Sequence, residues 1–225
     1  MKKLCLIIFF LFLFGNAIAM EEKIAEKVTL KFNAGVMSQY ISRGSQLSNG
    51  PSPFVSGNAY FPYNIYIGFF TAKIDDTFHN GSSQEIDYYF GITPKFGNLG
   101  TKFAYQSYLY PGNDTNDNNP YSSEFVGEIN YTLDKTSIAY RHYWQDQAAK
   151  KEFFKTTLTH NFNNFSSSLQ YGDKVNTNQT YYSANISKNI KSIDCTIEYV
   201  SVENPGGSGN TQSRDYLSLI LSKSF

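Results

Sequence analysis

Residues 215–225 (DYLSLILSKSF) alternate apolar and polar side chains and end on an aromatic. Successive side chains of a strand point to opposite faces, which puts Leu217, Leu219, Leu221 and Phe225 on one side and Ser218, Ser222 and Ser224 on the other. A segment that is greasy on one face, polar on the other and closed by a terminal Phe has the pattern of the last strand of an outer-membrane β-barrel.

The start of the chain points to the same compartment. Lys2 and Lys3 precede an apolar stretch from Leu4 to Phe14 and the small-residue signal Ala17-Ile18-Ala19, so residues 1–19 read as a secretory signal peptide. Residues 20–27 then form a periplasmic lead and residues 28–225 the barrel. A helical span needs about twenty consecutive apolar residues, and the sequence after Ala19 contains no such run. Cys195 is the one cysteine outside the leader, so neither an internal disulfide nor a cysteine metal cluster is expected. Aromatic residues make up 17% of the chain but hydrophobic residues only 41%, too polar for helices in lipid. A barrel reconciles these values, because only alternate residues face lipid and aromatics collect at the two interfaces. The balance of 19 basic and 19 acidic residues argues against a nucleic-acid partner, whose phosphates demand a basic face.

Connection lengths supply the strand count. Polar stretches run from Gly44 to Pro53, Asp75 to Gln84, Pro111 to Pro120, Gln145 to Lys151, Gly172 to Gln179 and Glu203 to Arg214. Tighter connections lie between them, at Pro62–Asn64, Pro94–Thr101, Asp134-Lys135, Asn163-Asn164 and Ile190-Lys191. Six loops and five turns predict twelve strands in an all-β, closed, antiparallel, up-and-down transmembrane barrel with both termini at one end. A secreted β-sandwich also alternates apolar and polar residues, but it has no reason to alternate long with short connections.

Three of the turns predict register. A two-residue turn at Asp134-Lys135 sets Glu128 opposite Arg141 and Phe125 opposite Trp144. One at Asn163-Asn164 sets Phe162 opposite Phe165 and Thr159 opposite Ser168. One at Ile190-Lys191 sets Asn185 opposite Thr196 and Ile186 opposite Cys195. In each hairpin polar meets polar and apolar meets apolar, an agreement that a one-residue slip would invert.

On this register the inward face carries Lys31, Asn33, Gln39 and Arg43 from strand one, Glu85 and Asp87 from strand four, and Gln106, Tyr108 and Tyr110 from strand five. Glu124, Glu128, Arg141, Lys155, Asp194 and Glu198 continue it around the wall. Outward fall Val28, Leu30, Phe32, Val36 and Tyr40, then Ile86, Tyr88, Phe90 and Ile92, then Phe125, Ile129, Tyr131 and Leu133. Strands two and three, around Phe54–Phe61 and Ile65–Ile74, do not resolve into faces.

Barrel size bounds the function. Eight strands leave an interior filled by side chains and sixteen to eighteen leave a wide channel, so twelve predict a narrow pore lined by Lys31, Arg43, Glu85, Asp87, Tyr108, Tyr110, Glu124, Glu128, Arg141, Lys155, Asp194 and Glu198. Such charges either neutralise one another, as Glu128 and Arg141 would, or set an electrostatic constriction for small polar solutes. The expected partners are membrane lipid and lipopolysaccharide, small polar solutes, and the barrel-assembly machinery acting on the strand that ends at Phe225. No cofactor or metal is expected, because His79, His142 and His160 lack ligand spacing. A lipid hydrolase needs nucleophile and base within hydrogen-bond reach. His160 and Ser167 face one another outward, but no outward Asn or Asp completes the set. The loop 111–120 (PGNDTNDNNP) lacks the ligand spacing and closing Glu of a calcium loop. A non-conducting structural or binding barrel is the remaining alternative.

Ser38-Gln39-Tyr40-Ile41-Ser42-Arg43-Gly44-Ser45-Gln46 with Gly50-Pro51, then Glu85-Ile86-Asp87-Tyr88-Tyr89-Phe90-Gly91, then Tyr108-Leu109-Tyr110-Pro111-Gly112 and Glu124, resemble in order and spacing the signature elements of the TorF-like porin family. The resemblance spans most of the chain after the leader and implies an outer-membrane barrel acting as a pore. Residues 67–72 depart from it by lacking a Trp.

Overall fold

The computed structural model describes residues 28–78, 81–112, 122–145, 152–175, 177–205 and 213–225. The leader and lead read at 1–27, His79 and most of the 111–120 loop lie outside these described residues. Twelve long strands carry the fold: β1 Thr29–Met37, β2 Ser52–Tyr60, β3 Ile65–Lys73, β4 Gln84–Ile92, β5 Leu99–Leu109, β6 Ser122–Leu133, β7 Thr136–Gln145, β8 Glu152–Asn161, β9 Ser166–Lys174, β10 Gln179–Ile190, β11 Ile193–Glu203 and β12 Arg214–Ser224. Each pairs antiparallel with its sequence neighbours. β1 also pairs with β12, from Asn33↔Ser224 to Met37↔Ile220, which closes the ring. Closure leaves no strand edge, so every strand can satisfy its backbone polar groups within lipid.

Two short pieces sit outside the ring count. Lys95–Phe96 folds back on Leu99–Gly100 within the β4–β5 turn, and Ile41–Ser42 pairs with Ser45–Gln46 in a small separate hairpin. Short connections alternate with longer ones except at β9–β10, where the expected long loop is only the four residues 175–178 because β9 runs on to Lys174, and both β1 and β12 have their chain-terminal ends at the short-turn end.

The register follows the sequence in two hairpins. Arg141 pairs with Glu128 and Trp144 with Phe125, and Thr159 pairs with Ser168. The third hairpin is displaced: Ile190 pairs with Ile193, Asn185 with Glu198 and Ser187 with Thr196. Its turn is Lys191-Ser192, with φ of 50° and 68°, the double positive φ of a type I′ turn whose twist matches the flanking strands. The displacement is an even number of residues, so every side chain keeps its face.

The outer surface is an apolar belt. Leu30, Phe90, Phe125, Ile129, Leu158, Leu169, Ile197 and Leu217 are all exposed, far more grease than a soluble monomer presents in one patch. β2 and β3 now have faces. Phe54, Ser56, Asn58 and Tyr60 point inward from β2, and Tyr66, Gly68, Phe70 and Ala72 from β3. β2 resists sequence reading because its outward side holds Gly57 and Ala59. The rings of Phe32 and Phe69 close over Gly57, leaving no room for a Cβ there.

Adjacent residues on β8 test this orientation. An arginine at a lipid-facing midplane position costs about 2–4 kcal/mol, whereas lumen positions tolerate it. Leu158→Arg is expected to lower folding stability in lipid vesicles by that amount and Thr157→Arg by much less. Equal losses in denaturant titrations would reverse the assigned faces.

Candidate functional site

The interior is organised by residues 38–51, which turn into the barrel rather than away from it. β1 ends at Met37, and the next two residues stay sewn to β12. Ser38 N donates to Leu219 O at 2.8 Å, Gln39 Nε2 to Leu217 O at 2.8 Å, and Ser218 Oγ to Gln39 O at 2.9 Å. The chain then folds inward. Tyr40 N donates to Ser48 Oγ at 2.8 Å and Leu47 N to Tyr40 O at 2.8 Å. Tyr40 and Leu47 are buried with Met37, Ala72 and Ile74, and the Tyr40 hydroxyl reaches Glu85 Oε1 at 3.4 Å. The outward expectation for Tyr40 is thus corrected. Strand periodicity stops three residues before it, and its ring lies in the lumen.

The tip of this hairpin is Arg43-Gly44, with φ of 50° and 73°. A bulky residue seldom adopts positive φ, and here that turn aims the guanidinium across the lumen. Arg43 Nη1 and Nη2 meet Glu124 Oε1 and Oε2, both at 2.9 Å. Nη2 also contacts the Tyr108 hydroxyl, which itself donates to Glu124 Oε2 at 2.8 Å. The guanidinium carbon lies 4.1 Å from the centre of the Tyr143 ring and 5.3 Å from that of Phe153. Bidentate pairing combined with ring stacking is a site that lysine could not fill. The other flank of the tip is held from β9 and β10, where Lys174 Nζ donates to Ser45 Oγ at 2.8 Å and Gln179 Nε2 to Gly44 O at 3.2 Å. The hairpin therefore bridges two walls of the barrel.

Beside it lies a polar cavity of about 380 Å³ whose lining includes Arg43, Glu85, Asp87, Tyr108, Arg141, Lys155 and Glu198. Glu124 is bound to Arg43 as described. Glu128 is ion-paired to Arg141, whose Nη1 also donates to the Tyr143 hydroxyl at 3.1 Å. Gln106 Nε2 donates to Asp87 Oδ2 at 3.2 Å.

The remaining sequence candidates lie elsewhere. Lys31 sits at the short-turn end, its ammonium 5.3 Å from the Tyr60 ring centre. Asp194 is at the same end and accepts from Asn189 Nδ2 at 2.7 Å. Tyr110, just past β5, packs against the apolar cluster beneath the hairpin. Arg43 reaches the lumen from the hairpin and not, as expected, from strand one. Lys102, Tyr143 and Tyr181 also line the cavity and escaped the sequence reading. Lys102 had a signal, since it shares the parity of Gln106 and Tyr108 on β5.

The outward histidines show no nucleophile arrangement. His160 pairs in register with Ser167, but its Nδ1 shares a hydrogen bond of 2.8 Å with Thr136 Oγ1 on the other neighbouring strand. His142 stacks on Trp144 with ring centres 4.2 Å apart, and its Nε2 lies 3.3 Å from Glu152 Oε2.

A closed twelve-stranded antiparallel barrel with an apolar exterior and a charged, partly obstructed interior has the architecture of the outer-membrane porins. The chain belongs to the bacterial family Gcw_chp, described as bacterial protein of unknown function, whose model matches residues 21–217. No curated protein matches it significantly. Among solved structures it is similar to the KdgM porin, at a TM-score of 0.63 and 11% identity over 87% of this chain and 99% of that one. It is also similar to the NanC porin, at a TM-score of 0.59 and 10% identity over 88% and 99% of the two chains. At these identities the likeness is one of fold.

Proposed function

We propose that this protein is a porin-like channel of a bacterial outer membrane, passing small hydrophilic solutes by diffusion through a lumen narrowed by the Arg43 hairpin. The observation that carries this reading is the hairpin itself. It is an inward loop pinned to two walls, with an apolar cluster beneath it and a polar, charge-lined cavity left open beside its tip. Residues that only filled a structural barrel would have no need of a charge-lined space. The resemblance to the TorF-like porins supports the same reading. In this orientation the short turns face the periplasm and the long connections face outward. The apolar belt meets lipid and lipopolysaccharide, and the strand ending at Phe225 is the element the assembly machinery engages. The chemistry is passive, with the lumen charges orienting solutes and no bond being made or broken.

Purified protein in planar bilayers is expected to give discrete conductance steps. A barrel that migrates as folded on gels yet never conducts would contradict the channel. Arg141→Gln offers a finer measurement, because it removes the cation paired with Glu128 and so makes the lumen one unit more negative. The reversal potential is expected to move toward cations, and an unchanged value would mean that this pair stands apart from the permeation path.

A further inference from the structure

Register places four charges in one inward row across four strands: Lys102 opposite Glu128, Glu128 opposite Arg141, and Arg141 opposite Lys155. That is three cations for one carboxylate, and the carboxylate is taken by Arg141. Like charges directly across a strand pair are destabilising, so Arg141 beside Lys155 is a cost the wall accepts. Lys102 leans away, its ammonium 5.0 Å from the Tyr66 ring centre and 5.7 Å from that of Tyr89. Among the described residues neither Lys102 nor Lys155 forms an ion pair.

The same cavity holds carboxylates in the converse condition. Asp87 accepts from Gln106 through one oxygen, while its other oxygen and Glu85 Oε2 are buried without a hydrogen-bond partner; carboxyls this close do not both ionise, so the Glu85–Asp87 pair carries a single negative charge. Glu198 has only the uncharged Asn185 and Ser218 as its cross-strand partners. Uncompensated charges of both signs thus line one space of about 380 Å³. A simple anion entering it gains from the lysines but meets Asp87 and Glu198, and a simple cation meets the reverse. A solute carrying both charges satisfies both sets at once, and complementary placement of this kind selects one partner by penalising the others.

We infer that this cavity is a binding subsite for small zwitterions bearing an ammonium and a carboxylate, of amino-acid to dipeptide size. Lys102 and Lys155 take the carboxylate, and the Glu85–Asp87 pair and Glu198 take the ammonium. The inference rests on the channel reading, since the subsite lies on the proposed path.

The test is isothermal titration of the full-chain protein in detergent with glycylglycine, acetate or ethylammonium at fixed ionic strength, with conductance recorded from the same preparations. Saturable binding of glycylglycine, with acetate and ethylammonium much weaker, is expected. The Lys102→Gln/Lys155→Gln double variant and Glu198→Gln should each weaken it about tenfold or more, the loss that accompanies removal of a charged hydrogen bond. Lys155→Arg, which keeps the charge, should retain binding and so separates loss of the site from loss of the fold. Acetate binding as tightly as glycylglycine, with Glu198→Gln neutral, would overturn the inference in favour of an anion site. A conducting barrel that binds none of the three would overturn it and leave the channel intact. Glycylglycine binding without conductance would instead support the subsite and count against the channel.

Discussion

Replacing Arg43 with alanine is expected to raise single-channel conductance several-fold and to shorten or abolish any low-conductance state. Among the described residues Arg43 is the side chain that ties the hairpin tip to the β5–β6 wall, through both oxygens of Glu124 and the hydroxyl of Tyr108. Removing one partner of a hydrogen-bonded, desolvated charge pair costs about 2–5 kcal/mol. The lower end applies here, because 22% of the Arg43 side chain remains exposed. Even about 2 kcal/mol shifts a docked-to-undocked equilibrium roughly thirtyfold. The β9–β10 contacts from Lys174 and Gln179 persist, so the hairpin should swing from one anchored flank instead of leaving the lumen. Arg43→Lys is expected to fall between wild type and alanine, since an ammonium cannot pair with both carboxylate oxygens in the planar fork that guanidinium supplies. Glu124→Gln should move conductance in the same direction as Arg43→Ala, and the double variant should be no worse than either single one. Identical conductance in wild type and Arg43→Ala would mean that the hairpin does not limit permeation.

The second large effect belongs to the seam. β1 and β12 meet over five residue pairs, fewer than any other pair of long neighbouring strands. Gly35, opposite Ser222, lies in the middle of that join. A Cβ on Gly35 would collide with the carbonyl oxygen of Leu221 on one side and with the Phe54 ring on the other. Ring atoms can move, but a ladder carbonyl cannot without opening the seam. Gly35→Val is therefore expected to cost at least the roughly 1–3 kcal/mol typical of overpacking, seen as a lower denaturant midpoint and a reduced fraction of heat-modifiable, folded barrel. Ala34→Val, one residue away on the lipid side, should be close to neutral. If Gly35→Val closes as well as wild type, the seam must differ from the pairing described.

These two sites mark where sequence reading succeeds and where it stops. Alternation and turn spacing made the closed barrel legible, because a period of two fixes faces even when the turn is misplaced. The β10–β11 hairpin shows this directly. Its turn lies at Lys191-Ser192 and not Ile190-Lys191, yet Ser183, Ser187, Asp194 and Glu198 still point inward. Pairing of Glu128 with Arg141 was legible for the same reason. The inward hairpin was not, because Ser38 to Gln46 continues an alternating pattern past the point where β1 leaves the wall. Arg43 was thereby placed in the lumen on a strand that ends before it, and Tyr40 was placed on lipid. β2 hid its faces because Gly57 borrows its outward cover from Phe32 and Phe69, neighbours that its own sequence does not contain. The inward face of Lys102 is legible from its parity with Gln106 and Tyr108, but its place opposite Glu128 needs the β5–β6 register, which no tight turn sets. The Arg43–Glu124 contact joins residues 81 positions apart, and no local pattern announces it.

The most direct test of a water-filled lumen inside a lipid-facing wall is thiol accessibility along β8. Single cysteines placed at positions 154–159 in a Cys195→Ser background would be reconstituted in vesicles and exposed to a small, charged, water-soluble thiol reagent. Labelling is expected at 155, 157 and 159 and little or none at 154, 156 and 158. Uniform labelling, or labelling on the even positions, would contradict the barrel on which the proposed channel and subsite depend.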